Sequence, residues 1–334
     1  MSYRCTIYGL GVVANKAIPG VPSSSPAKND LRVWFGSLPS WLEELSASQV
    51  QPSFVADCKD NLGEPVLRVF RLLDGKYFRF CYADKTEFVV DHAGTEIWGT
   101  WPTSLTLEDT ATYFLGPVMG FVMLLRGVIC LHASAVVIGN EAIALLGPAG
   151  SGKSTTAAAF SQRGYRILAE DVVTLDDRID HFLVRPGYPS IRLWPASVKA
   201  LYGSENDLPK LTPNWDKRYL DLNDQFENTP LRLAGIYYLN ERSENPDAPF
   251  VEALDKSEGL MSMVANTYAT KLMDKQMRAR EFDLLTRVLN NVPLRRVTPH
   301  ADPMRISELC DRILSDYELI QESLILSCKS ANGF

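Results

Sequence analysis

Two textures of apolar and polar positions divide the chain. Along residues 66–101, short runs rich in β-branched and aromatic residues alternate apolar with polar: LRVFRLL, KYFRFCYA, EFVVD and EIWGTW. They are separated by Asp74-Gly75, Asp84-Lys85 and Ala93-Gly94, and turn pairs between β-formers predict hairpins. Residues 1–104 as a whole read as β-rich, with a Pro/Ser-rich loop at 18–30. Residues 107–126 then predict one helix, with Thr106 as N-cap and Glu108 and Asp109 near its positive end.

After that helix the apolar runs lengthen, as in strands buried on both faces. Residues 128–138 (VICLHASAVVI) predict one strand, Asn140 a turn, and 142–146 (AIALL) a second strand. A Gly-rich segment follows, then a helix from about Lys153 to Gln162 ended by Arg163-Gly164, then a strand at 165–169. Strand, Gly-rich turn, helix, strand is a nucleotide-binding arrangement. Further strands are expected at 233–239 and 292–297. Residues 260–290 carry one or two helices, 307–319 a final amphipathic helix, and about 327–334 a frayed end. The pattern predicts a mixed α/β chain with a β-rich domain at 1–125 and a nucleotide-binding domain at 126–334.

Composition narrows the function classes. Of 334 residues, 46% are hydrophobic and 22% charged, as in soluble globular proteins. The net charge is −6 with no basic run, so nucleic acid is not an expected partner. The most membrane-like stretch, 113–125, is shorter than the ~20 apolar residues a span needs. It is read as a buried helix, with no membrane partner. The N-terminus carries no secretory pattern, and the expected location is the cytoplasm. Six cysteines (Cys5, Cys58, Cys81, Cys130, Cys310, Cys328) lie far apart and without metal-ligand spacing. They are expected to be reduced, buried and inert.

The chemistry concentrates at Gly147, Pro148, Ala149, Gly150, Ser151, Gly152, Lys153 and Ser154, which fit GxxxxGK[ST] at every fixed position. Such a loop turns successive N–H groups toward phosphate oxygens at a helix N-terminus. Lys153 is expected on the β- and γ-phosphates, Ser154 on Mg²⁺, and Thr155 within the same nucleotide-binding set. ATP and Mg²⁺ are the expected cofactors. Segments that would mark a transporter ATPase, a GTPase or a helicase are absent from the sequence.

Two flanking features are spaced tellingly. His132, in Leu131-His132-Ala133-Ser134-Ala135, lies 21 residues before Lys153, and Glu170-Asp171 lie 17 and 18 residues after it. Over about 128–175 the chain resembles the catalytic domain of HPr kinase/phosphorylase, in which a histidine-bearing strand precedes the P-loop and the next strand ends in Ala-Asp-Asp. It is more similar to the divergent HPr-kinase-like proteins of peptide-tailoring gene clusters, among them kinases of the C-terminal serine of lasso-peptide precursors. Tyr8-Gly9-Leu10, the run from Pro189 to Pro195 and the run from Pro213 to Leu220 look like that subgroup.

The resemblance implies a kinase of a serine or threonine hydroxyl on a peptide or small protein. Position by position, Glu170 takes the role of base and Asp171 that of its support and a metal ligand, with His132 holding the base. Arg192 takes a nucleotide-side role. Glu170 departs from the family's aspartate, and a ~1 Å misplacement of a catalytic group can lower the rate ~100-fold. Ser190 stands where the family has a metal-assisting glutamate. Strand 165–169 is expected parallel and next to the P-loop strand, with Glu170 facing the γ-phosphate and His132 within reach of Glu170 or Asp171. Lys217, Arg218 and Arg242 have surface readings as well as phosphate-binding ones. Two other functions stay open: a small-molecule hydroxyl kinase, and a nucleotide-binding regulatory module without transfer. So does a homo-oligomeric state.

Overall fold

The computed structural model describes residues 2–44 and 51–331. The N-terminal part is an eight-stranded sheet: β1 (Tyr3–Ile7), β2 (Leu10–Ala14), β3 (Leu31–Phe35), β4 (Phe54–Val55), β5 (Leu67–Leu72), β6 (Tyr77–Tyr82), β7 (Glu87–Asp91) and β8 (Glu96–Thr100), with a short helix α1 (Trp41–Glu44). The strand order is β1-β2-β3-β8-β7-β6-β5-β4. The expected meander is β5 to β8, each antiparallel to the next.

One face of this sheet is covered by α2 (Leu107–Tyr113), a π-helical turn Phe114–Val118 and α3 (Met119–Leu125). The expected helix is thus continuous but widened in the middle. Pro117 lies inside the π turn and lacks the N–H an α-helix would use there. Thr106 is the N-cap, in a reciprocal capping box with Asp109. Stretch 113–125 is mostly buried, as expected of a core helix. Among the described residues no helix is long and apolar enough to cross a membrane.

The second sheet has nine strands: β9 (Ile129–Leu131), β10 (Ala133–Ile138), β11 (Glu141–Leu146), β12 (Ile167–Ala169), β13 (Val173–Asp177), β14 (Phe182–Val184), β17 (Leu231–Leu239), β18 (Phe250–Ala253) and β19 (Leu294–Thr298). Two more, β15 (Ser190–Leu193) and β16 (Arg218–Asp221), pair apart from it. Helices α4 (Lys153–Gln162), α5 (Pro195–Tyr202), α6 (Lys256–Ala265), α7 (Lys275–Asn291) and α8 (Ile306–Ala331) complete the chain. Alternation along β11 explains the layering. Ile143 and Leu145 pack in one cluster with Phe160 and Ile313, while Ala142, Ala144 and Leu146 pack in another with Met263, Leu285 and Val288. Helices therefore cover both faces, and the architecture is mixed α/β.

Four expectations need correction. The strand 128–138 is split at His132, and its halves pair differently: β9 with β13, β10 with β11 and β12. The strand expected at 165–169 is only Ile167–Ala169, and it is not next to the P-loop strand. β10 lies between them, antiparallel to both, so β12 still runs in the direction of β11. The last helix continues to Ala331, past the point about 327 where a frayed end is expected; residues 332–334 lie outside the described residues. Not all cysteines are buried: Cys58 is exposed and Cys81 half-buried, while burial pushes the Cys5 thiol up to about 12 and that of Cys310 to about 11. The side chain of Cys328 lies outside the described residues.

The main path of the second sheet runs β12-β10-β11-β17-β14-β13-β9. Its two ends are tied twice by short links. β9 enters β10 through His132 alone, and β12 enters β13 through Glu170, Asp171 and Val172. The sheet therefore curls until its ends approach, with β10 and β13 in contact.

Candidate nucleotide and phosphate-transfer site

Both links of the curled sheet open beside the P-loop, and each carries residues singled out by spacing. Between β11 and α4, Gly147, Gly150 and Gly152 hold φ of 152°, 83° and 103°. Side chains other than glycine rarely adopt such values. A Cβ on Gly147 would come 2.8 Å from Leu239 O, so only glycine fits the turn out of β11. Lys153 is buried and folds back on the loop, donating to Gly147 O at 2.7 Å and Pro148 O at 3.0 Å. Burial lowers its ammonium to about 8, against the pull of Asp171 and Glu170. Thr155 Oγ1 lies 2.8 Å from Ser197 Oγ on α5, so its hydroxyl is tied within the protein.

Ser154 and Glu170 meet directly. The Ser154 hydroxyl donates to Glu170 Oε1 at 2.6 Å. Glu170 is 3% exposed, and its other oxygen, Oε2, has no hydrogen-bond partner. Burial raises its carboxyl to about 7, with Asp171 adding to the effect. Asp171 turns the other way, at a left-handed φ of 65° that non-glycine residues seldom hold. His132 Nε2 lies 3.5 Å from Asp171 Oδ1, so this contact bridges the two links of the sheet. Burial works to raise the Asp171 carboxyl, but Arg192, His132, Lys217 and a hydrogen bond from Tyr268 hold it below the usual range. Burial also lowers the His132 imidazole, with Asp171 opposing.

Several residues at this place have no sequence motif. Tyr268, just after α6, reaches Asp171 and lies 5.6 Å ring to ring from His132. Gly116 sits in the π turn where a Cβ would lie 2.9 Å from Asp171 Oδ2. Thr112 O accepts from Arg192 Nη1 at 3.3 Å. Tyr8 lies edge-on to Tyr188, which in turn stacks near Arg192. Glycine followed by proline inside an apolar helix was the one readable signal among them, since π turns gather at functional places.

The remaining candidates divide. Lys217 lies over the Trp194 ring at 5.2 Å and its charge is felt at both carboxylates. Arg218 is buried in structural bonds to Glu205 O and Asp216 O. Arg242 lines a cleft with Ser151, Gly152 and Thr155. Ser190 is buried on β15, two residues from Arg192. Among the described residues no group of three His, Cys, Asp or Glu has the geometry of a metal cluster.

No family model matches the chain, and no curated protein matches it. Among solved structures, the Hpr(Ser) kinase/phosphatase from Coxiella burnetii is similar over 61% of this chain and 99% of its own, with 13% identity and a TM-score of 0.35.

The residues fit a bound triphosphate and a divalent cation. Gly150 faces open space where a phosphate would lie against the backbone, and the Ser154 hydroxyl with the unpartnered Glu170 Oε2 forms the kind of hard oxygen donor set Mg²⁺ takes.

Proposed function

We infer that the chain is an ATP-dependent kinase of a hydroxyl group, with a peptide or small-protein serine or threonine as acceptor. What supports the reading is the Ser154–Glu170 contact set beside the His132–Asp171 pair. In P-loop enzymes the metal is held between the loop Ser/Thr and a carboxylate at a strand end. Glu170 occupies that position. The roles carried over from the sequence resemblance are therefore exchanged in this proposal: Ser154 and Glu170 hold Mg²⁺, and Asp171 is the base. The longer side chain of Glu170 suits this exchange, because it spans from the end of β12 to the first turn of α4.

Bound Mg²⁺ would supply charge neutralisation at the phosphates. The rest falls to side chains. Asp171, kept ionised by Arg192 and oriented by His132 and Tyr268, accepts the acceptor's hydroxyl proton. The freed oxygen forms a bond to the γ-phosphorus. The bond from that phosphorus to the β–γ bridging oxygen breaks, and its electron pair leaves on ADP. Lys153 and the loop amides offset the charge on the transferred group.

The test is transfer of labelled γ-phosphate from ATP to a pool of serine- and threonine-containing peptides, with Lys153→Ala as the control. Label in hydroxyl ester linkage, present with wild type and absent with a folded Lys153→Ala protein, is the expected result. Nucleotide binding without label in any acceptor would leave a regulatory module instead.

A further inference from the structure

Arg192 is buried, yet its Nε–H has no hydrogen-bond partner. Its Nη1 is used by Thr112 O, and its guanidinium carbon stands 5.5 Å from the centre of the Tyr188 ring. A buried donor without an acceptor is unfavourable, more so when charged, so this cation has capacity for an anion.

Arg192 also lines a cavity of about 240 Å³. Ser190 and Arg192 of β15 form one side. Ala111, Thr112 and Leu115 form the other, and Lys210 stands exposed at the rim. The Pro-rich loop 18–30 reaches it as well. Gly20, at φ 77°, is placed where a Cβ would lie 3.6 Å from the Tyr219 ring and 3.9 Å from Ser190 Oγ. The cavity is thus walled by segments from both parts of the chain. Its Leu115 wall runs on by one residue to Gly116, which approaches Asp171 Oδ2. Arg192 acts electrostatically on both Glu170 and Asp171.

We propose that this cavity holds an anionic group of the acceptor, a carboxylate or a phosphate, between Arg192 and Lys210, and so presents the acceptor hydroxyl to Asp171. The proposal rests on the kinase reading and adds a substrate class: hydroxyl compounds that carry a negative charge near the reacting group. Arginine's planar fork matches either anion. The Ser190 hydroxyl adds a donor, and Ala111 and Leu115 provide apolar wall for adjoining carbons. The one acidic residue lining the cavity, Glu108, is exposed.

The experiment uses the full chain labelled with ¹⁵N-arginine, with its P-loop filled by saturating Mg·ADP. Acetate and inorganic phosphate are titrated separately, and the Arg192 Nε–Hε signal is followed, identified by its loss in Arg192→Lys. A saturable shift is expected, weakened roughly fivefold in Lys210→Ala and abolished in Ala111→Trp, whose indole fills the cavity. A response to acetate alone assigns a carboxylate-bearing acceptor, and to phosphate alone a phosphate-bearing one. If Ala111→Trp does not fold, the exposed Lys210→Ala carries the comparison. No saturable shift with either anion, or equal affinity in wild type and Lys210→Ala, overturns the proposal. So does loss of the response when an unhydrolysable ATP analogue replaces ADP, since Arg192 would then serve the nucleotide. None of these readouts needs phosphate transfer, so failure of the kinase reading would appear separately, as anion binding without labelled product.

Discussion

Ser154 Oγ and Glu170 Oε1, 2.6 Å apart, join the first turn of the P-loop helix to the end of a strand that is not its sheet neighbour. Asp171, the next residue, faces His132 instead. Two adjacent carboxylates thus have different partners, and their variants should separate. Glu170→Gln should weaken Mg²⁺-dependent ATP binding, read by titration with and without the metal. Asp171→Asn should leave that affinity nearly unchanged and lower turnover by about 10²–10⁴-fold, the usual contribution of a general base. The reverse pattern would return the base to Glu170.

The Glu170 carboxyl also gives a pH signature in the ligand-free protein. Its native value, raised to about 7 by burial first and Asp171 second, lies above the ordinary 4.5. The native state therefore binds the proton more tightly than the unfolded chain. This contribution to stability is fully present below about pH 4.5 and is lost as pH rises through about 7. Asp171, held low, acts in the opposite sense and only in acid, outside the window. Urea unfolding of wild type and Glu170→Gln between pH 5 and 8 should show the variant gaining on wild type as pH rises. A difference independent of pH would mean that Glu170 is ionised throughout.

Gly116 offers a test in which activity and stability move apart. A methyl group there would come 2.9 Å from Asp171 Oδ2, and the carboxylate is held by His132, Tyr268 and Arg192. Displacing it by even ~1 Å should lower turnover by ~100-fold. Alanine favours helical backbone over glycine by up to ~1 kcal/mol, so Gly116→Ala should melt at or near the wild-type temperature. Full activity in a folded Gly116→Ala protein would show that the carboxylate has room to move, and that its position is not critical.

What the sequence made legible follows from range. The β5–β8 meander, the β10–β11 hairpin and α4 are specified by contacts within about twenty residues, and their periodicity and turn pairs carry that information. The break at His132 is not legible, because an apolar run of eleven residues reads the same whether it pairs along its length or changes partners midway. Strands β13 to β16 were missed for a related reason: each is only three to five residues long, and although β13 and β14 form a local hairpin, their other pairings, with β9 and β17, and that of β15 with β16, come from distant segments. At the site, motif spacing brought Ser154, Glu170, Asp171 and His132 into view. Tyr268 and Thr112 arrive from elements that only the tertiary fold sets beside the site, and no local pattern marks them; Gly116 is marked only by the proline that follows it.

That same convergence bears on what residues 1–125 contribute to the site. One apolar cluster joins Tyr8, Phe114, Leu115 and Val118 to Cys130, Val172 and Tyr188. Val172 follows the acidic pair directly, and Tyr188 packs beside Arg192. The Tyr8 hydroxyl donates to Leu115 O at 2.8 Å, tying the first sheet to the helix that borders Asp171. Removing 1–125 would expose this surface and release Arg192 from Thr112 O. A fragment 126–334 should therefore be aggregation-prone. Any soluble fraction should keep the P-loop but hold Asp171 poorly. A milder probe keeps the chain intact. Tyr8→Phe deletes only the hydroxyl, which should cost about 1 kcal/mol, read as a lower urea midpoint. Because Tyr8 acts on Asp171 electrostatically and packs edge-on to Tyr188, without touching the P-loop residues, ATP affinity should be unchanged and turnover reduced severalfold. A soluble 126–334 fragment with wild-type turnover would show that the N-terminal sheet takes no part in forming the site.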